Sequence, residues 1–290
     1  MQRPWPATLV AVTSLPEAVK DLAGHVVATV DEIVARTGAE ALAGLKRAAG
    51  AWFGDSRRVQ FTVVSGDPAE EILRLAKSTE TDAIVMASHG HGAIGRVAFG
   101  SVADRVARCS PVPVLIIRPS DAAKEVAPGR LRRLSVPLDG SRPAARALAV
   151  AETIAARRAL PMVLIRAIDS AETLGPYVDA RVLPVGVIEA VETGARTALE
   201  SRADRLTALG IEASVEVWRG APFSAISETA REGDVIVMAS HGRVGFRRWL
   251  LGSVAEKLVR SGPVPVMIVP VSSTEALAPM ETSGLAAASA

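Results

Sequence analysis

The sequence predicts an α/β protein of two tandem domains, each a doubly wound parallel sheet. Three observations carry this. A stretch at 84–119, IVMASHGHGAIGRVAFGSVADRVARCSPVPVLIIRP, returns at 236–270 as IVMASHGRVGFRRWLLGSVAEKLVRSGPVPVMIVP. Each copy reads as a short apolar strand, a glycine-bearing loop, a helix, and a second apolar strand behind Pro-Val-Pro. The strand segments at 84–86, 114–117, 236–238 and 266–269 are apolar without alternation, which suits parallel strands covered on both faces. Elsewhere predicted strands alternate with predicted helices, the pattern of βαβ units with right-handed crossovers.

Taken in order, residues 7–12 (ATLVAV) read as a strand, and 16–50 as one long or two shorter helices interrupted by Gly24 and Gly38. A strand at 59–64 turns through Gly66-Asp67-Pro68 into a helix ending near Lys77. Proline suits that helix start, because its missing N–H would be unpaired there anyway. The strand at 82–86 leads into the first repeated loop, and 120–131 is a polar linker. The second half opens with a strand at 133–138 and a helix from about Pro143 to Arg158. A strand at 162–167, a Pro/Gly-rich connection at 171–184 and a helix to about Leu209 follow. A strand at 213–218, the turn Gly220-Ala221-Pro222, a helix to Arg231 and a strand at 234–238 lead into the second repeated loop. The domains are therefore expected at 1–119 and 131–271, with 272–290 a disordered Ala/Ser/Glu-rich tail.

Composition narrows the function classes. The 290 residues include 49% hydrophobic types with a mean hydropathy of +0.28, ample for two cores. Lys and Arg total 33 against 31 for Asp and Glu, a net charge of +2 that argues against a nucleic-acid surface. Aromatics at 3% also argue against a base-stacking platform. The single cysteine, Cys109, excludes an internal disulfide and reads as a small buried residue near a helix end. No segment approaches the roughly 18 apolar residues of a spanning helix. The first residues make a poor signal peptide, so no membrane partner and a cytoplasmic location are expected.

Gly90, Gly100-Ser101 and Gly242, Gly252-Ser253, with each glycine pair ten positions apart and each preceded by Met-Ala-Ser-His, carry a resemblance. They are similar to the nucleotide-loop signature of the universal stress protein family: Gly, two residues, Gly, nine residues, Gly, then Ser or Thr. The first glycine of that pattern is alanine here in both copies, Ala87 and Ala239. The resemblance implies an adenine nucleotide alpha hydrolase-like fold with strand order 3-2-1-4-5. It also implies ATP, with any Mg²⁺ arriving with the nucleotide, as the ligand at the switch point between strands 1 and 4.

In the second domain the resemblance assigns Gly242, Gly252, Ser253 and Val254 to phosphate and ribose contacts. Physically, unpaired N–H groups at a helix start form an anion site, and Ser253 can cap that helix or donate to phosphate. The resemblance gives Asp139 a hydrogen bond to adenine, packs the strand end Pro137-Leu138 on the base, and places the Ala167 backbone against it. Capping the following helix is the other role open to Asp139. Met238, Ala239 and His241 flank the loop; His241 and His89 read as loop-shaping residues. Arg243, Arg247 and Arg248 either neutralise phosphate or form a solvated helix face. The first loop offers Ala87, Gly90, Gly100 and Ser101 as a weaker candidate, since nothing in the first half corresponds to Asp139.

Alignment of Pro6-Ala-Thr-Leu-Val with Pro161-Met-Val-Leu-Ile shows the first half beginning at its second strand. Residues 131–160 have no counterpart there. The sheet would then lack its central strand and leave backbone groups unpaired. The sequence-based expectation is that the natural start lies upstream of Met1 by about a strand and a helix. The terminal strands at 114–117 and 266–269 are expected to pair edge to edge within one chain, and a further homodimer of the whole chain is left open. Three functional readings stand: an ATP-binding stress-adaptation module that is not an enzyme, a nucleotide-independent interaction scaffold, and a slow ATPase. No general base, nucleophile or metal cluster is visible to support the last.

Overall fold

The computed structural model describes residues 6–14, 19–20, 26–53, 59–88, 99–118, 131–168, 186–241 and 251–271. The chain divides into two compact units, Met1–Thr81 and Asp82–Ala290.

In the first unit, β1 (Ala7–Thr13) runs parallel to β4 (Val59–Ser65), with Ala7 opposite Val59 and Thr13 opposite Ser65. The Thr13 and Ser65 hydroxyls close the far end of the ladder at 2.8 Å. Between these strands lie β2 (Val19–Lys20) and β3 (Val26–Ala28), an antiparallel pair, and then α1 (Val30–Phe53). The helix expected from residue 16 therefore starts later. Its start is fixed by a reciprocal cap: Glu32 N–H donates to Thr29 Oγ1 at 3.3 Å, and Thr29 N–H donates to Glu32 Oε2 at 2.9 Å. In α2 (Pro68–Ser78), Asp67 accepts from Glu70 N–H at 2.9 Å, with Pro68 at the first helical position. Among the described residues of this unit, the buried apolar side chains are Ala49, Ala69 and Ala76 alone, so little apolar area is withdrawn from water.

The second unit holds one seven-stranded sheet. Its strands are β5 (Ile84–Ala87), β6 (Val114–Ile117), β7 (Arg133–Pro137), β8 (Met162–Ile168), β9 (Ala213–Arg219), β10 (Asp234–Ala239) and β11 (Val266–Val269). Across the sheet the order is β5-β6-β11-β10-β7-β8-β9. From β9 to β11 this is 3-2-1-4-5, all parallel, as the sequence resemblance implies. Beyond β11 comes β6, antiparallel, with Val114 opposite Ile268 and Ile116 opposite Val266. Arg118 is buried at this junction and donates to the carbonyls of Gly262 and Val264.

The helices of this unit are α3 (Ser101–Cys109), α4 (Arg142–Arg158), α5 (Val187–Ala208), α6 (Pro222–Thr229) and α7 (Ser253–Ser261). Ala147, Leu148, Ala151 and Ala155 of α4, with Leu199 and Leu206 of α5, cover one sheet face over Leu134, Val136, Leu164 and Val237. Helices α6 and α7 pack together on the other elements of the sheet. Every residue of β10 and β11 is buried, which explains why these strands show no alternation in sequence.

The first repeat is divided. Its strands β1 and β4 form their own pair, while β5 and β6 join the seven-stranded sheet. The second repeat has β7 between β8 and β10, and no described strand does this between β1 and β5. The boundary between compact units consequently falls inside the first repeat, at Thr81, rather than in the 120–131 linker. The expected tail at 272–290 and the connection at 171–184 lie outside the described residues.

Candidate functional site

The strand that links the two directions of the sheet is β7, which has β8 on one side and β10 on the other. Strand order reverses there, and the carboxyl ends of such strands open onto a crevice. Of the predicted site residues of the second repeat, those that the structure describes lie at or just beyond these strand ends.

From β7, Pro137 ends the ladder opposite Ile165, and Leu138 N–H donates to Ile165 O at 2.8 Å. Leu138 is buried in the core beneath α4. Gly140 follows with φ of 84°, a left-handed conformation that a side chain would strain. The chain thereby turns back so that Asp139 Oδ1 accepts from Ser141 N–H at 2.9 Å and Ser141 Oγ at 2.6 Å. Ser141 Oγ in turn accepts from Ala144 N–H at 3.2 Å. The helix cap is thus Ser141, not Asp139; the aspartate fixes the cap from behind. From β8, Ala167 sits opposite Trp218 and is half-buried. Its neighbour Arg166 donates to Leu138 O at 3.1 Å and holds the turn that bears Asp139. Sequence reasoning missed Arg166, although a lone arginine in the apolar run MVLIRAI was a signal.

From β10, Met238, Ala239 and Ser240 are buried and His241 is half-buried. The Ala239 methyl belongs to the core under α4. Ser240 N–H donates to Val269 O at 3.0 Å, and Ser240 O accepts from Gly252 N–H at 2.8 Å, closing the loop at its base. Gly252 has an ordinary extended backbone, φ −60° and ψ 148°, so its requirement is space. A Cβ there would stand 3.2 Å from Ser240 O and 3.5 Å from His241 Cα. Gly252 is the N-cap of α7, and Ser253, expected as a possible cap, is instead the first helical residue and exposed. The first intrahelical bond runs from Glu256 N–H to Gly252 O at 2.8 Å. The N–H groups of Ser253, Val254 and Ala255 therefore precede the helical ladder and carry the positive end of its dipole.

His241 Nδ1 lies 3.2 Å from Ser240 Oγ, and its Nε2 is buried with no hydrogen-bond partner. Burial, and secondarily the positive charge of Arg108 on α3, hold its pKa below the ordinary imidazole value. Arg108 is itself paired with Asp104 at 2.7 Å.

The first repeat reproduces the loop closure. Gly100 N–H donates to Ser88 O at 2.9 Å, Gly100 caps α3, and Ser101 is exposed as the first helical residue. Ala87, however, is exposed where Ala239 is buried, and no described segment brings an aspartate to it as β7 brings Asp139. Gly90, Gly242, Arg243, Arg247, Arg248 and His89 lie outside the described residues. Among the described residues no group of three or more potential ligands gathers to hold a metal, and no helix is long and apolar enough to cross a membrane.

Comparison with known proteins decides the family, because the universal stress protein family matches residues 2–118 and 130–270. The chain belongs to it. A universal stress protein of Mycolicibacterium smegmatis is 29% identical over 272 residues, covering 91% of this chain and 87% of that one. One from Mycobacterium tuberculosis is 28% identical over 195 residues, covering 66% of this chain and 62% of the relative. Among solved structures, a universal stress protein from Archaeoglobus fulgidus superposes with a TM-score of 0.56 at 23% identity, over 83% of this chain and 79% of that one. That structural likeness concerns the fold.

Proposed function

We propose that this universal stress protein binds ATP at the strand crest of its second repeat and acts in stress adaptation as a binding module with little or no turnover. The observation that carries the reading is the base of the 240–252 loop. Gly252 is held against Ser240 by a backbone hydrogen bond, where a Cβ would stand 3.2 Å from the Ser240 carbonyl oxygen, directly before three N–H groups that open α7. A polyphosphate is the ligand such a helix start suits, and Asp139, across the β7–β10 switch, is the acceptor an adenine amino group requires. Arg108 adds positive charge near His241. Any Mg²⁺ would come bound to the phosphates.

The scaffold reading rested on Ala87 and Ala239. Packing of the Ala239 methyl into the α4 core removes that objection in the second repeat, since the methyl is accommodated by the protein interior. The β6–β11 junction fits a further reading, that the two repeats pair within one chain.

Calorimetry with ATP tests the proposal. The wild-type chain is expected to bind, and Gly252→Val, which drives a branched side chain into the Ser240 carbonyl, to abolish binding. Asp139→Ala is expected to weaken it by about 1–3 kcal/mol, the scale of a hydrogen bond involving a charged group. Undiminished affinity in both folded variants would place the nucleotide elsewhere. A single-turnover assay on the same complex separates a binding module from a slow ATPase.

A further inference from the structure

Trp218 carries a hydrogen-bond donor that the described fold leaves unused. The residue is half-buried, but its indole Nε1–H is fully buried and, among the described residues, meets no acceptor. A buried indole N–H ordinarily finds a partner, because losing water without a replacement is costly. Val215 and Val217 of β9 pack toward the α4 core, so by strand alternation Trp218 points to the opposite face, where α6 lies against β8 and β9. On that face its neighbour in register is Ala167 of β8, one strand spacing of about 4.8 Å away.

Both residues stand past the last rung of β7. Pro137 ends that ladder opposite Ile165, whereas β8 and β9 continue together to Ile168 and Arg219. Leu138 N–H donates to Ile165 O, so the main-chain groups of Ala167, two residues on, face the same side, beyond the end of β7 and toward the turn that bears Asp139. Only the Ala167 methyl stands between Trp218 and that side of β8. The first repeat keeps the register and changes the residues, with Val12 opposite Val64 in the positions of Ala167 and Trp218. The methyl and the indole donor thus go with the repeat that carries Asp139. We propose that Trp218 reads the base of the nucleotide: its ring closes over Ala167 and its Nε1–H donates to a ring nitrogen of adenine. This rests on the nucleotide site proposed above. N1, N3 and N7 are the acceptors adenine offers. The phosphates do not compete for the donor, because the start of α7 follows β10, three strands from β9 across the sheet and so about 14 Å away.

The four tryptophans give four indole N–H resonances in the nitrogen-15-labelled full chain, and Trp218→Phe assigns the one concerned. If that variant does not fold, replacing Trp5, Trp52 and Trp249 in turn assigns it by elimination. Saturating ATP is expected to move the Trp218 resonance downfield, as a new hydrogen bond does, and ribose 5-triphosphate, which lacks the base, to leave it in place. In calorimetry Trp218→Phe is expected to weaken ATP by about tenfold, with ribose 5-triphosphate unaffected. Among 1-deaza-, 3-deaza- and 7-deaza-ATP, the analogue without the accepting nitrogen should lose nothing further on Trp218→Phe. ATP that binds with the Trp218 resonance unmoved overturns this proposal and leaves the nucleotide site standing; a water then holds the indole. A shift that ribose 5-triphosphate reproduces overturns it too, as does equal weakening of ATP and all three analogues by Trp218→Phe. A chain that binds no ATP sinks the site and this contact together.

Discussion

Asp234 shows what a single residue can hold that sequence does not reveal. It lies 101 positions from Arg133, yet its carboxylate takes the guanidinium at 2.6 Å and the Ser135 hydroxyl at 2.9 Å. That network ties β10 to β7 at the end of the sheet away from the loop, and only the strand register makes it visible. Asp234→Ala leaves Arg133 without its carboxylate in a mostly buried setting and is expected to cost about 3–5 kcal/mol of stability. Exposed Asp82→Ala, the same change in the first repeat, is expected to stay within about 0.5 kcal/mol in the same urea titration. His241 gives the second prediction at this scale. Its folded pKa lies below the unfolded value of about 6.5, so its contribution to stability is complete above that pH. As pH falls from there through the folded pKa, the unfolded chain takes up a proton that the folded chain resists, and the contribution is lost. Urea midpoints at pH 7.5 and 5.5 should therefore differ more for wild type than for His241→Asn. A bound polyphosphate reverses the local field, so ATP is expected to raise the His241 pKa in an NMR titration.

At the scale of elements, the strands of the second repeat were legible, because fully buried parallel strands leave strong marks in sequence, and their order is the one the family resemblance implied. Helix starts were less so. The apolar spacing across 16–50 hid the β2–β3 pair, while the Thr29–Glu32 cap that begins α1 was present in the sequence and outweighed by that periodicity. At α4 capping was one of two roles open to Asp139, and two acceptors two residues apart compete for it. Gly140 decides the matter, since its left-handed turn brings Ser141 to the helix and Asp139 to Ser141. Ser141→Ala is expected to destabilise the second unit by about 1 kcal/mol, the usual loss of an N-cap, without nucleotide present. Asp139→Ala loosens the same cap, so its effect on ATP affinity has to be read well below the melting temperature. Thermal melts of both variants, with and without ATP, separate the cap from the contact: Ser141→Ala should lower both curves equally, and Asp139→Ala should also shrink the gap between them.

The whole molecule is two compact units of unequal quality, and the sequence foreshadowed this in the missing counterpart of residues 131–160. The larger unit buries long side chains throughout, among them Ile116, Leu164, Leu206, Ile236, Leu258 and Ile268. The smaller unit rests its two helices on a two-stranded sheet, a size of sheet that is marginal without further packing, and the apolar residues it buries, among those described, are alanines only. Scanning calorimetry is accordingly expected to resolve two transitions, with 1–81 melting first. Ligand linkage then distinguishes them. If ATP binds at the crest of the second repeat, a concentration of about one hundred times Kd stabilises the larger unit by roughly 2.7 kcal/mol. For a unit of this size that amounts to a rise in Tm of about 5–10 °C. The first transition should not move, because no part of the proposed site lies in residues 1–81. Asp234→Ala should lower the second transition alone, and amide exchange in β1 and β4 should be faster than in β8 by several orders of magnitude. A single cooperative transition that ATP shifts as a whole would mean that the two units fold as one.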